Sequence, residues 1–566
     1  MQGRLFLTII SAWLIVVNFS IARQWDGYFF YSQKGSSTAY LLDTNGNVFH
    51  QWNLSNAPRT TYSAYLLEGG SIIRACTNQG NILKGGGMTG RIHKADWNGN
   101  TIWDYVYSST TYCLHHDICP LPNGNVLMIS YDVKSPTDAT AAGCSKNIEI
   151  WSEKIIEVKP TGLNSGEIIW EWKVWDHLCQ NVDPSKSNYV SSVSDHPELI
   201  NINYKANKDW LHMNGLDYNE ELDQIAFSSH NFNEIYVIDH STTIEEAAGH
   251  SGGKSGKGGD ILYRWGNPGA YGQSGNAVFK VVHDAHWVPN GSPKAGYLVA
   301  FNNNGVSSSK SSVDMIYPPY DGFKYKKISG SQFEPLTYEY RHPCNGHSSN
   351  ESNSVQLPNG NMVVNISLAG FIYEVDSKGA MIWSRQLKSG GPGQSASTSH
   401  IYKHSKCYVQ GTIAPKPSIS LMGDELQSSY GIKYQWFLNG EPINGATSEN
   451  YKPTRNGRYY VQIHNEMGCE SYLSDYYLIS HLTSSVLENS DELFVVTQIT
   501  DGTYEISSSW QDFQNFKYQV TDIIGNALLF GSNDKIINLS NYATGIYLLS
   551  IITNNSIYTK KLIVNK

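Results

Sequence analysis

A chain of 566 residues is too long for one ordinary core, and two to four domains is the expectation. Its 37 Tyr, 15 Trp and 50 Gly against 16% charged residues suit an all-β protein rich in turns, and a formal net charge of −9 excludes a broad nucleic-acid-binding surface. An anionic small substrate would need a local positive site instead.

The N-terminus carries Arg4, an apolar run from Leu5 to Phe19 and a small-x-small pattern at Ser20-Ile21-Ala22. This reads as a signal peptide over residues 1–22, too short for a membrane anchor. No comparable stretch follows, so the mature protein is expected to be exported, with no integral membrane segment. Outside the cytosol the eight cysteines can pair. Cys113 and Cys119 flank His115-His116-Asp117, and are either bridged, holding that triplet rigid, or two small buried thiols.

From residue 38 a hairpin ending in an aromatic residue recurs. It appears as LLDTNGNVFHQW (Trp52), KADWNGNTIWDY (Trp103), VKPTGLNSGEIIWEW (Trp170), GGDILYRW (Trp265), EPLTYEY (Tyr340) and YEVDSKGAMIW (Trp383). The fifth is the weakest, having no Gly turn. Between these lie a hairpin at TTYSAYLLEGGSII and four further copies. His116 is six residues ahead of Pro122 and His283 six ahead of Pro289; His212 is seven ahead of Asn219, and Ser352 holds the position before Leu357-Pro358-Asn359-Gly360-Asn361. Repeats stack as copies of one supersecondary unit, so equivalent positions meet equivalent parts of the architecture. The alternation makes a four-stranded unit repeated about six times, which reads as a six-bladed β-propeller over residues 23–411. One inner pair is left to be supplied from the far end, and residues 397–411, STSHIYKHSKCYVQG, are the candidate.

In a propeller the first strand of each blade lines the central channel. His116, His212 and His283 would then converge from different blades, and QIAFSSHN adds His230 at the same mouth. Zinc is one use for three imidazoles from separate strands, but no H-x-x-x-H or C-x-x-C spacing supports it, and no metal is expected. A single His-Asp pair before a turn would read as a hydrogen-bonded cap; three histidines at matched offsets, two of them in His-Asp pairs, point to a site. The stretch GHSGGKSGKGGD, 249–260, fails as a phosphate loop because Ala248 stands where Gly is needed and no strand-to-helix context surrounds it; it reads as a mobile loop.

Past residue 412 the repeat stops. Residues 412–482, with Trp436 and NGRYYVQI, resemble an immunoglobulin-type β-sandwich with a tyrosine-corner-like element and without the usual Cys pair. Residues 483–490 read as a linker. Residues 491–566 resemble the small β-sandwich sorting domain at the C-terminus of type IX secretion substrates, in Gly545-Ile546-Tyr547 and the closing Lys560-Lys561-Leu562-Ile563-Val564. That resemblance implies the type IX secretion machinery as a partner and a secreted or cell-surface location, reached through the periplasm.

The run DWLHMNGLDYNEELDQIAFSSHNFNEIYVIDHSTT, then GGDILYRWGNP and VHDAHWVPNG, resembles the bacterial arylsulfate sulfotransferases, which are six-bladed propellers; the likeness covers roughly residues 38–390. It implies transfer of a sulfuryl group from a phenolic sulfate donor to a phenol acceptor by a ping-pong route, with no nucleotide donor and no cofactor. The transiently sulfated histidine of that family matches His283. The earlier histidine matches His116, with His115 the other candidate, and the H-x-N pair matches His212 and Asn214. Where the family commonly shows Ser-Ser-Arg, this chain has Ser228-Ser229-His230. An Arg is always charged, whereas a His must first take a proton. The N-terminal sandwich domain of characterised members has no counterpart in the pattern.

The chemistry fits the residue types. Sulfuryl transfer resembles phosphoryl transfer, with a loose transition state whose charge lies on peripheral and leaving oxygens, so it needs a nucleophile, cationic donors and an acid. A neutral imidazole at His283 supplies the nucleophile. His116 and His212, when protonated, can donate to sulfate or to the departing phenolate. Asp284 is a weak candidate to orient His283, since strand neighbours point to opposite faces. Trp210 and Trp287 either hold the phenolic ring or belong to the core, and His115 and His347 are counted as further substrate contacts. The competing class is a propeller that has lost the reaction and survives as a surface binding protein. A quinone-cofactor dehydrogenase ranks last, having no convincing calcium and quinone set.

Overall fold

The computed structural model describes residues 23–321, 323–328, 332–387, 396–480, 495–500, 502–507, 516–522, 527–552 and 557–564. The segments that the sequence reads as a signal peptide, 1–22, and as a linker, 483–490, lie outside them. Two compact units divide the chain at residues 480 and 481. Among the described residues no helix is long and apolar enough to cross a membrane.

Within the first unit, residues 23–411 hold six four-stranded antiparallel sheets among the described residues. The first strands of sheets two to six are Thr60–Leu66, Tyr112–Pro120, Met213–Asn219, Val282–Trp287 and Asn353–Gln356. The first sheet starts from the far end of the chain: Ile401–His404 pairs with Tyr28–Ser32, followed by Thr38–Leu42 and Val48–Asn53. First strands are mostly buried and most last strands are more exposed, as Tyr112–Pro120 and Met381–Gln386 illustrate, the buried Tyr263–Trp265 of the fourth sheet being the exception. Each first strand from Thr60–Leu66 onward touches the next, and Asn353–Gln356 touches Ile401–His404.

Two sets of hydrogen bonds tie neighbouring sheets. On the inside, Asp117 Oδ2 accepts from Leu216 N (3.0 Å), Asp217 Oδ2 from Trp287 N (2.8 Å) and Asp284 Oδ2 from Ser354 N (3.0 Å). On the outside, the recurrent aromatic residue reaches across: the Trp52 indole donates to Asp96 O, Trp103 to Ser165 O and Trp170 to the Thr242 hydroxyl. Trp383 stacks on Phe29 of the first sheet at 4.3 Å. A buried indole N–H needs an acceptor, so the hairpin-end Trp is a staple as well as core. The turns behave as repeats too: Leu121 N donates to Asn125 O and Leu357 N to Asn361 O, with Gly124 and Gly360 at φ of 88° and 84°.

Residues 412–480 add two small sheets around Trp436, whose indole donates to Ser448 O, and Tyr459 Oη donates to Arg455 O at 2.7 Å. They dock on turns of the fourth and fifth sheets through Glu221, which accepts from Arg458, Tyr460 and Asn290. A Cys407–Cys469 disulfide crosses the same junction, whereas Cys113 and Cys119 are buried free thiols. The second unit pairs Gly545–Ile552 with Ile557–Val564 and with Lys517–Asp522 around a core that includes Val520, Leu549 and Leu562.

Candidate active site

Pairing between the first and second strands is interrupted at the same place in four sheets. Register shifts fall between Thr60 and Ala64, Leu114 and Ile118, Met213 and Gly215, and His283 and His286. A bulge bends its strand and re-aims the side chains beside it. His116, His212 and Asp284 stand at φ of 50°, 56° and 57° there. Non-glycine residues adopt such angles at a cost on the order of 1–3 kcal/mol, which surrounding contacts must offset.

The product is a cavity of about 470 Å³ lined by His116, His212, His230 and His283, together with Tyr62, Met88, Lys34, Asn350 and Glu351. The imidazoles form an arc: ring centres lie 5.2 Å apart from His115 to His116, 4.6 Å to His212, 5.0 Å to His230 and 5.6 Å to His283. Gly85-Gly86-Gly87 close one wall. A Cβ on Gly86 would come within 2.6 Å of the His212 ring, and one on Gly87 within 2.0 Å of His116. Gly87 also sits at φ 61° and accepts the His116 N–H at 2.7 Å, so both space and conformation require glycine there.

His283 is held at both nitrogens. Asn303 spends its amide N–H groups on the carbonyls of Ser348 and Glu351, at 2.8 and 3.0 Å, which turns its Oδ1 toward His283 Nδ1 at 2.7 Å. Nδ1 therefore carries the hydrogen. Nε2 is left with its lone pair, which accepts the Glu351 N–H at 3.1 Å. Burial pushes His283 well below the ordinary histidine range, the neighbouring His230 and His212 push the same way, and the Asn303 hydrogen bond opposes them. The ring is neutral at pH 7.

The other imidazoles divide by partner. Burial, with His212 and His115 beside it, also holds His116 well below its usual value, and burial with His212 lowers His230. His212 alone of the four contacts a carboxylate, Nδ1 lying 2.8 Å from Asp209 Oδ2, so its Nε2 faces the cavity. Burial raises Asp209, but the His212 hydrogen bond and charge outweigh it and leave it low. Lys34 is the one Lys or Arg among the lining residues, and it is ion-paired with Glu351.

The remaining sequence candidates lie elsewhere. His115 is buried behind His116, stacked on Tyr131 at 3.8 Å. Asn214 lies beneath the floor, joining Ser228 to Val282 O of the next sheet. Trp210 is a core residue whose indole donates to Tyr204 O, and His347 bonds Asn304 outside the lining. Trp287 lines a different cavity, with Asn219, Glu221 and Arg458. Neither tryptophan reaches the imidazoles, so the ring beside them is Tyr62, edge-on to His116 at 4.7 Å. Asp284 does not touch His283; its carboxylate meets Ser354 N and His286. Orientation falls to Asn303 instead.

Tyr62, Asn303, Asp209, Glu351 and the three glycines were not among the sequence candidates. Tyr62 had a signal: it precedes Leu67 by five residues as His116 precedes Leu121, and Leu67 N donates to Ser71 O as Leu121 N does to Asn125 O.

The family model Arylsulfotransferase (ASST) matches residues 14–409, and Secretion system C-terminal sorting domain matches residues 500–565. No curated protein matches the chain. Among solved structures, a protein of unknown function from Bacteroides caccae is 10% identical with a TM-score of 0.35, the match covering 63% of this chain and 93% of that one. The periplasmic gluconolactonase PpgL of Pseudomonas aeruginosa is 12% identical with a TM-score of 0.34, covering 67% and 98%. The C-terminal unit is a type IX secretion sorting domain, and the protein is exported, to the cell surface or the medium. With well over half of its length matched, the chain belongs to the arylsulfotransferase family.

Proposed function

We propose that the protein is an arylsulfate sulfotransferase that works through a sulfated His283. In this reading residues 23–411 form a six-bladed propeller, 412–482 an immunoglobulin-like module, 483–490 a linker and 491–566 the sorting domain, behind a signal peptide at 1–22. Six four-stranded sheets, first strands that touch in sequence and the Trp383–Phe29 stack across the seam support the propeller.

The observation that carries the chemistry is His283 itself, neutral and presenting Nε2 to the cavity with its tautomer set by Asn303. In the first half-reaction Nε2 attacks sulfur, the N–S bond forms, and the S–O bond to the aryl oxygen breaks with its electron pair going to the phenolate. His212, its Nδ1 held by Asp209, gives that phenolate a proton from Nε2. In the second half the acceptor phenol loses its proton to His212, its oxygen attacks sulfur, and the N–S bond breaks. Asn303 keeps the Nδ1 hydrogen throughout, as a positioning residue. The Glu351 N–H that caps Nε2 is displaced by the sulfuryl group and stands near enough to donate to its oxygens. Lys34, paired with Glu351 at the wall, is the ammonium that an incoming sulfate could draw from that carboxylate.

The test is incubation with 4-nitrophenyl sulfate and phenol, following nitrophenol release and phenyl sulfate together. Equal amounts support transfer. Nitrophenol with no sulfated phenol makes the protein a sulfatase-like hydrolase. One observation favours a second reading, a surface binding protein that has lost the reaction: His230 stands where the family resemblance implies Arg, and burial with His212 keeps it neutral. No sulfated histidine in excess aryl sulfate would support that reading.

A further inference from the structure

The glycine-rich segment 249–260 takes no part in the cavity. It folds back on the 3-10 turn Val174–His177 that follows the third sheet. Gly259 N donates to Gly249 O, and the Trp172 indole donates to Gly259 O at 2.7 Å. Gly259 has no room for a side chain, since a Cβ would stand 2.0 Å from Ala247 O and 2.6 Å from His177 Nε2. The loop is built around His177 and is not the mobile loop its composition suggests.

His177 is fully buried and lies parallel to Trp172, the ring centres 5.6 Å apart. Its Nε2 is 2.8 Å from Ala247 O. A carbonyl can only accept, so Nε2 carries the hydrogen, and in the neutral ring Nδ1 presents a lone pair. That lone pair faces Asp260 Oδ1 at 3.0 Å, and His250 Nδ1 reaches the same oxygen at 2.7 Å. In that neutral form two acceptors face each other in the interior, a second imidazole completes the cluster, and the three ligand atoms all lie within 4.8 Å of one another.

We propose that His177 Nδ1, His250 Nδ1 and Asp260 Oδ1 bind a divalent transition metal, zinc being the best fit, with water in the fourth position. Nitrogen and carboxylate ligands at three corners and an open fourth suit zinc. The His177 ring makes the outer contact that metal-bound histidines make, its far N–H donated to a backbone carbonyl. Ligand atoms about 2.0–2.2 Å from zinc lie roughly 3.3–3.5 Å from one another, so the cluster must open by a few tenths of an ångström. His250, its side chain 62% exposed between glycine-rich flanks, can move that far. The ion would pin the loop to the third sheet. It is separate from sulfuryl transfer, because none of the three residues lines the histidine cavity.

The test uses the full-length protein and His250→Ala, both stripped with chelator and titrated with Zn²⁺ calorimetrically, with Co²⁺ as a spectroscopic probe. The cavity imidazoles can bind zinc as well, so the readout is a difference. The wild type is expected to take up one equivalent more than His250→Ala, to show a Co²⁺ visible band the variant lacks, and to gain a few degrees in melting temperature with Zn²⁺ that the variant does not. An exposed His→Ala change leaves the fold and the sulfotransferase rate intact, which the 4-nitrophenyl sulfate assay confirms. Equal uptake and equal melting shifts in the two proteins overturn the proposal and leave an imidazolium–carboxylate pair with no metal.

Discussion

Asn303 Oδ1 lies 2.7 Å from His283 Nδ1, and the Asn303 amide cannot be turned over because both of its N–H groups are already donated to the carbonyls of Ser348 and Glu351. One side chain thus decides which nitrogen of the nucleophile is free. Asn303→Leu removes that control and leaves two carbonyls unpaired. By analogy with the loss of an orienting partner in a hydrolase triad, turnover should fall roughly 10³–10⁴-fold. Steady-state kinetics with 4-nitrophenyl sulfate check it, and the loss should fall on kcat more than on KM.

Gly87→Ala places a methyl group 2.0 Å from the His116 ring at φ 61°. We expect about 1–3 kcal/mol of lost stability from the backbone strain, and loss of turnover as His116 is displaced. Urea unfolding and the transfer assay report the two separately. Gly80→Ala, where the nearest atoms are the Asn78 amide at 3.7 Å, should change neither.

The pH profile of the first half-reaction should lack an acid limb near 6.5. Burial, with His230 and His212 beside it, holds His283 well below that value, so the ring stays neutral and nucleophilic as pH falls through it. Single-turnover nitrophenol release measured from pH 4.5 to pH 8 would contradict this if it fell with a midpoint of about 6.5, the ordinary histidine value.

Stability should fall on the alkaline side through His286. Burial lowers it, but Asp284 and Asp217 beside it raise it to about 10. A folded pKa above the unfolded value of about 6.5 means the native state binds the extra proton between them. The contribution is therefore complete below about 6.5 and disappears as pH rises through about 10. Denaturation from pH 7 to pH 10.5 should show this decline, and His286→Gln, still able to bond Gln356, should flatten it.

Much of the site was legible because the chain repeats itself. The matched offsets of His116, His212 and His283 from their turns bring them to equivalent first strands, His212 immediately before its own, and the Trp-ended hairpins mark the outer strands that staple neighbours. What could not be read lies across pairings. Asn303 reaches His283 from the neighbouring strand of the same sheet, and Glu351 from the next sheet. Alternation along a strand also misleads where a bulge intervenes. Trp287, four residues past His283, faces the Glu221 cavity, and Asp284 faces the next sheet while the site lies beside it. Trp210, adjacent in sequence to Leu211 and His212, turns into the core because its backbone precedes the strand that begins at Met213.

The central claim is that SO₃ rests on His283 Nε2 between donor and acceptor. Rapid quenching at alkaline pH after mixing with excess 4-nitrophenyl sulfate, followed by peptide mass analysis, reads it directly. The account predicts one added SO₃ on the peptide holding His283, discharged by phenol and missing from His283→Ala. An unmodified peptide during active transfer, or the group on His116 or His212 instead, would contradict it.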